Sequence, residues 1–372
     1  MGISVRYGRF QSPMRVSFKH ASADRNETQS VIVAISDDQG RVGYGEGCPR
    51  EYVTGESSSS VASFLQQYGM EAANAAESLE AFHHWSESHR KLIDDNPSAF
   101  CALELAVLDW LGKRANVDVE TLLGLPPLTA PVEYSAVIGD CSPAKMLLVG
   151  LIYRLYGFSD FKVKLSGEVQ RENRRLAALP SSATVRFDAN NLWVDADACV
   201  AYCRQLKCHY WAIEEPVGAF DVEALKAIAK ELNTRVILDE SCLREEHVAP
   251  FIDNATSFIA NIRVSKCGGI LRSIELANYC LSNGIDVILG AHVGETSLLT
   301  RAAMVVAQGM LKRPLAREGA FGRILLKHDI ADTSLQFGRG GVLQVKDYGL
   351  RHKHGLGIEV DPKSLDIGLT CL

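Results

Sequence analysis

The sequence has little that would suit a nucleic-acid-binding, membrane-spanning or disulfide-stapled protein. Across 372 residues, 39 Lys and Arg stand against 45 Asp and Glu, a formal net charge of −6. A general nucleic-acid binder carries a basic excess or stripe, so no nucleic-acid partner is expected. The cluster Lys346, Arg351, His352, Lys353, His354 is short and reads as solvated surface. Apolar runs such as Met146 to Tyr153 fall far short of a membrane span, so no membrane partner is expected either. The start, Met-Gly-Ile-Ser-Val-Arg, has no apolar signal region, and Arg6 stands where myristoylation wants Ser or Thr. The ten cysteines include no Cys-x-x-Cys pair, which suggests free thiols in a reducing, cytoplasmic setting. Cys199, Cys203, Cys208 and His209 are the one group worth testing as a zinc site. Cys208-His209 leads into the strand at Trp211, however, and thiols are common in cores, so zinc is not expected. There is no Gly-x-Ser-x-Gly or phosphate loop, and Gly338-Arg-Gly-Gly341 reads as a hairpin.

With 47% hydrophobic and 23% charged residues, the chain is an ordinary globular one rather than a disordered or collagen-like one. Its length suits two or three domains, or one large barrel with an appendage. The first part reads as α+β. Val31–Ile35 is a strand, and Gly43-Tyr-Gly-Glu-Gly47 is a glycine-rich strand or turn. Asn96-Pro97 starts a helix with Asn as its cap, and Phe100, Leu103, Ala106, Val107, Trp110 and Leu111 follow at helical spacing. Pro126 to Pro131 is the clearest linker.

Beyond the linker, short apolar strands alternate with helical patterns, which implies parallel βα units. The strands end at Lys164, Asp188, Glu214, Asp239, Lys266, His292 and Glu318, spaced 24 to 27 residues apart. One more step back reaches Ile138-Gly139, after Val132–Val137. Eight such units argue for a closed barrel, with chemistry at the C-terminal strand ends. An open doubly wound sheet would not place a polar group at every strand end. The tail after Leu326 turns glycine-rich and strand-like, through Phe337–Val345.

Three successive ends, Asp188, Glu214 and Asp239, are acidic. Unpaired carboxylates gathered at one mouth repel each other, and a divalent cation relieves that cost. All-oxygen ligation favours Mg2+ or Mn2+ over zinc. The alternative is that each acid caps a helix or pairs with a lysine. Lys162 and Lys164 lie two apart on one strand and point the same way. Two close ammonium groups, partly desolvated, disfavour each other's charge. That could move a lysine from about 10.4 toward the value of about 7–8 that suits a general base. Lys266 ends the sixth strand, opposite the second in an eight-membered ring. Lys164 and Lys266 would then face each other across the acids. Cys267-Gly268-Gly269 turns tightly into the next helix.

Phe161-Lys-Val-Lys164, Phe187-Asp-Ala-Asn190, Ile213-Glu-Glu-Pro216, Leu238-Asp-Glu-Ser241 and Lys266-Cys-Gly-Gly-Ile270 together resemble the enolase superfamily, and most closely its muconate-lactonizing group. Gly43–Gly47 and Tyr52-Val-Thr-Gly-Glu56 resemble the specificity loop of that family's capping domain. The resemblance implies a modified (β/α)7β barrel over residues 128–326. It also implies an α+β capping domain over residues 1–127, onto which residues 327–372 pack back. It implies Asp188, Glu214 and Asp239 as Mg2+ ligands and Lys164 and Lys266 as the acid/base pair, with Lys162 tuning Lys164. Asn190 and Glu240 fall where the family keeps supporting or lysine-pairing groups.

His20, Arg50, Tyr52, His292, Glu295 and Glu318 are the candidate substrate contacts. Glu295 resembles an acid of the lactonizing group. His292 stands where another branch has a catalytic histidine, but the Asp that orients it there is replaced by Lys266. Dipeptide-epimerising relatives carry Asp-x-Asp on the eighth strand, whereas here Glu318 is followed by Gly319 and Ala320. The expected activity is removal of the α-proton of a small carboxylate to an enediolate stabilised by the metal. Isomerisation (racemase, epimerase or cycloisomerase) comes first. A lyase (an acid dehydratase, or one resembling o-succinylbenzoate synthase) comes second, and a non-catalytic barrel last. A homo-oligomer is expected.

Overall fold

In a computed structural model of the chain, residues 2–20, 23–361 and 370–371 are described, without the side chains of 16–20, 23–25 and 351. Strands β1 (Ile3–His20), β2 (Ala23–Asp37) and β3 (Val42–Gly47) form an antiparallel meander. β4 (Val132–Glu133) stands apart from it. β5 (Ala136–Ile138), β6 (Asp160–Lys164), β7 (Thr184–Asp188), β8 (Ala212–Glu214), β9 (Arg235–Leu238), β10 (Phe258–Ile262) and β11 (Asp286–Leu289) make one parallel sheet in sequential order. Residues 315–318 close the ring. Glu318 N donates to Leu289 O at 2.8 Å, and Ser135 N donates to Arg317 O at 2.8 Å from the opposite edge. The architecture is a (β/α)7β barrel capped by an α+β layer. β12 (Val342–Leu343) pairs with β4, and β13 (Thr370–Cys371) returns to the edge of β1.

Strand alternation builds the barrel wall. Phe161, Val163, Val185 and Phe187 join the main hydrophobic core, while Lys162, Lys164, Arg186 and Asp188 reach polar partners on the inner side. Ala212, Ile237, Ile259 and Ile288 form a small separate cluster, contributed by four adjacent barrel strands.

Three details depart from the sequence reading. The run Val132–Val137 is two strands, because Val132 and Glu133 leave the barrel to pair with β12. Gly338–Gly341 makes a tight turn into β12 rather than a hairpin of its own, and within Phe337–Val345 the strand is confined to Val342 and Leu343. Asn96 does not cap the helix Pro97–Ala115. Its amide donates to Leu92 O, and Glu56 caps instead, accepting from Ser98 N at 2.8 Å and Ala99 N at 2.9 Å. A carboxylate is a stronger acceptor for these free N–H groups than a neutral amide.

That helix is buried from Pro97 to Gly112, between the meander and the barrel. Gly43, Gly45 and Gly47 share one face of β3 and lie directly on its backbone. A Cβ on any of them would collide with the carbonyl oxygen of Ala106, Ala102 or Ser98, respectively. Acids from this layer also cap barrel helices. Glu46 accepts from Thr296 N and Leu299 N at the helix Ser297–Gly309. Glu104 accepts from Ile270 N and from Leu271 N at the helix Ile270–Ser282. Burial pushes the Glu104 carboxyl up to about 8. Glu104→Ala leaves the buried Ile270 N–H and the partly buried Leu271 N–H unpaired, so urea unfolding should show a loss of about 1–3 kcal/mol. An unchanged midpoint would mean that water replaces the carboxylate.

Candidate active site

The inner strand ends gather a charge network. Lys162 Nζ lies 3.1 Å from Asp188 Oδ2, 2.8 Å from Glu214 Oε2 and 3.1 Å from Glu318 Oε1. Arg263 contacts Asp239 and approaches Glu214 Oε1 at 3.5 Å. Glu214 therefore stands between the two aspartates, joined to each by a shared cation. All three acids are buried. Asn261 adds a 3.1 Å hydrogen bond to Glu214, and Asn190 donates to Asp188 at 2.6 Å.

The two lysines sit on the outer members of this trio. Lys164 Nζ is 3.7 Å from Asp188 Oδ2 and donates to Asn190 Oδ1 at 3.0 Å. Lys266 Nζ is 2.9 Å from Asp239 Oδ1. One correction concerns how Lys266 arrives there. β10 ends at Ile262, and Lys266 comes from a one-turn helix, Val264–Cys267. Gly268 and Gly269 follow at φ +88° and +103°, which a residue with a Cβ adopts only under strain.

Burial alone would raise the acids, but Lys162 and Lys164 hold Asp188 at about 2, and Arg263 and Lys266 hold Asp239 low. Burial dominates at Glu214, raised to about 8 despite Lys162. Lys162 overturns an expectation. Burial favours its neutral form, but Asp188, Glu214 and Glu318 outweigh burial and keep it charged. Its nearest charges are acids from three other strand ends, not Lys164. Lys266 is raised in the same way by Asp239, against its burial.

The remaining candidates divide. Glu318 is engaged by Lys162 and by Arg186, 3.1 Å away, and it also lines a cavity with His292 and Glu295. Burial would raise it, yet these cations hold it low. Arg50 is buried and donates to the carbonyls of Gln29, Pro49 and Val293, so it ties loops together instead of presenting a free charge. Glu240 is buried, and burial with Asp239 raises it to about 8. Tyr52 lies half-buried in the short helix Glu51–Thr54. The side chain of His20 lies outside the described residues.

His292 and Glu295 border a cavity of about 50 Å3, with Val137, Ala320, Phe321 and Leu325. His292 is buried and neither ring nitrogen has a hydrogen-bond partner. Burial, then Arg263 and Arg50, hold it well below its ordinary value, so it is neutral. Glu295 is raised well above its ordinary value by burial and by Glu46.

Three contributors escaped the sequence reading. Arg186 could have been found, since it shares the inward face with Asp188. Arg263, a lone cation at the end of an apolar strand, was also visible. Glu215 was hidden. Its carboxylate accepts from Asp239 N at 2.6 Å and Ser241 Oγ at 2.5 Å, and so pins the end of β9, a contact that appears only once adjacent strands are in register.

Family models match this arrangement over most of the chain. The mandelate racemase / muconate lactonizing enzyme N-terminal domain covers residues 3–124, and the enolase C-terminal domain-like family covers residues 150–364. The chain belongs to the enolase superfamily. It is 26% identical over 365 residues to the N-succinyl-L-Arg/Lys racemase of Bacillus cereus, which spans 95% of this chain and 94% of that one. It is also 26% identical over 306 residues to the hydrophobic dipeptide epimerase of Enterococcus faecalis, spanning 79% and 83%. The structure of a dipeptide epimerase from Enterococcus faecalis, complexed with Mg and L-Leu-L-Tyr, superposes with TM-score 0.81 at 24% identity, covering 96% of this chain and 100% of that one. Like these curated relatives, this superfamily member is an isomerase.

Proposed function

We propose that this chain racemises or epimerises the α-carbon of an N-acylated amino-acid carboxylate, with Mg2+ held by Asp188, Glu214 and Asp239. The observation that carries the reading is the pair of lysines on opposite flanks of the acid trio, Lys164 against Asp188 and Lys266 against Asp239. The trio fits a hard cation because its donors are all carboxylate oxygens on successive strand ends, buried among four cations that balance them. Among the described residues, the group whose ligand atoms all come within 4.8 Å is instead His83, Glu87 and Glu275. Arg263 lies between Glu214 and Asp239, in contact with Asp239 and 3.5 Å from Glu214. When bound, the cation would supply charge stabilisation for the enediolate.

The protein's own groups handle the proton. One lysine Nζ, in its neutral form, takes the α-proton from one face of the carbon. The other, as an ammonium, returns a proton to the opposite face. Asn190 orients Lys164 through its 3.0 Å hydrogen bond. Lys162 stays protonated and holds Asp188, Glu214 and Glu318 together.

Two features favour an N-acylated substrate over one with a free ammonium group. Glu318 is already neutralised by Lys162 and Arg186, and Gly319 and Ala320 offer no further acid. Neutral His292 can hydrogen-bond an amide without meeting a charge. Free thiols throughout suit a reducing compartment.

The test is α-proton exchange in D2O across N-acyl amino acids, dipeptides, sugar acids and muconates, with Mg2+ and then with chelator. Exchange with inversion of N-acyl amino acids, abolished by chelator, is expected. Exchange that persists in chelator would overturn the metal assignment. A dehydrated product would make the protein a lyase.

A further inference from the structure

The first barrel helix, Pro143–Tyr156, turns the wrong residues outward for a helix facing water. Leu147, Leu148, Leu151, Ile152, Leu155 and Tyr156 are between 44% and 68% exposed. They account for six of the twelve large hydrophobic residues exposed among the described residues. The inner side is equally apolar. Met146 and Gly150 are buried, and Val149 and Tyr153 pack on the barrel core. At 3.6 residues per turn, Leu151, Leu155 and Leu148 run down the centre of the outer face, with exposed Ala144 beside them. Lys145 and Arg154 fall at its two edges, and the helix carries no acid.

We propose that this face is a two-fold contact between copies of this chain, helix against the same helix. The area argues for it. The six side chains offer on the order of 600 Å2 per copy, so a symmetric pair would remove about 1,200 Å2 from water, the lower end of the range for stable specific interfaces. An isologous contact asks only that the patch complement itself. A patch with an uncharged centre does so without setting like charges face to face. Charge argues against an anionic lipid surface as the occupant, because the chain carries −6 overall and this helix brings only two cations. The barrel mouth stays free, since the helix lies on the outer wall, before the strand that carries Lys162 and Lys164.

Sedimentation velocity of the full chain over about 1–50 μM, alongside Leu151→Glu/Leu155→Glu, tests the contact. The wild type should sediment as a dimer or an even multiple, and the variant at half that mass. Leu155→Lys, a single change at an exposed site, should weaken association in the same direction if the double variant folds poorly. Circular dichroism and α-proton exchange should match the wild type in the variants. A monomeric wild type across that range would overturn the proposal. So would variants that keep the wild-type mass. Flotation of monomeric wild type with phosphatidylcholine/phosphatidylserine vesicles, lost in the double variant, would overturn it in favour of a membrane surface.

Discussion

Lys164→Ala and Lys266→Ala should each abolish inversion while sparing different halves of the reaction. Loss of a positioned general base or acid costs about 10²- to 10⁴-fold in rate. If each lysine serves one face of the α-carbon, each variant should still exchange the α-proton of one enantiomer and lose exchange of the other. The pattern should reverse between the two variants. Deuterium incorporation into separate D and L substrates reads this directly. Two variants that lose exchange of both enantiomers equally would point to a one-base mechanism. Two variants that keep full exchange would remove the lysines from the chemistry. The geometry behind the expectation is that Lys164 and Lys266 attach to the first and last of three successive acids, not to the same one.

Lys162→Met should be the most destabilising single change near the site. The variant keeps most of the length of the side chain and removes its charge. It leaves Asp188, Glu214 and Glu318 buried together without the ammonium that lies within 3.1 Å of each. Breaking a buried ion network on one side costs about 3–5 kcal/mol. Thermal and urea unfolding should both show the loss. Added Mg2+ should narrow the gap to the wild type, because a cation at the same acids replaces part of the missing charge. A variant that melts with the wild type would mean that the acids are already neutral without Lys162. A gap that Mg2+ leaves untouched would separate Lys162 from the metal site.

Much of this site was legible because barrels repeat. A period of about 25 residues carried Asp188, Glu214 and Asp239 to one rim, and a period of two carried Lys162 and Lys164 to one face. What could not be read were contacts that cross the chain. Arg50 looked like a loop cation until the carbonyls of Gln29 and Val293 lay against it. Asn96 looked like a cap until Glu56, forty residues earlier, took the same donors. Lys162 looked like a like-charged neighbour tuning Lys164 until three acids from other strand ends surrounded it. In each case the local pattern was sound, and a partner remote in sequence decided the outcome. Lys266 is the mildest instance. Its distance from the preceding end was right, but the strand stopped four residues earlier and a single helical turn made up the rest.

The bare glycine face of β3 carries a practical lesson for anyone retuning the enzyme. Gly43, Gly45 and Gly47 lead straight into the segment of Arg50 and Tyr52, so that segment is rooted in a joint with no side chain that could adjust. A mutant library aimed at new substrates does best to hold positions 43, 45 and 47 constant and diversify further along. Even one methyl group at that root would collide with the backbone of the helix Pro97–Ala115 beneath it.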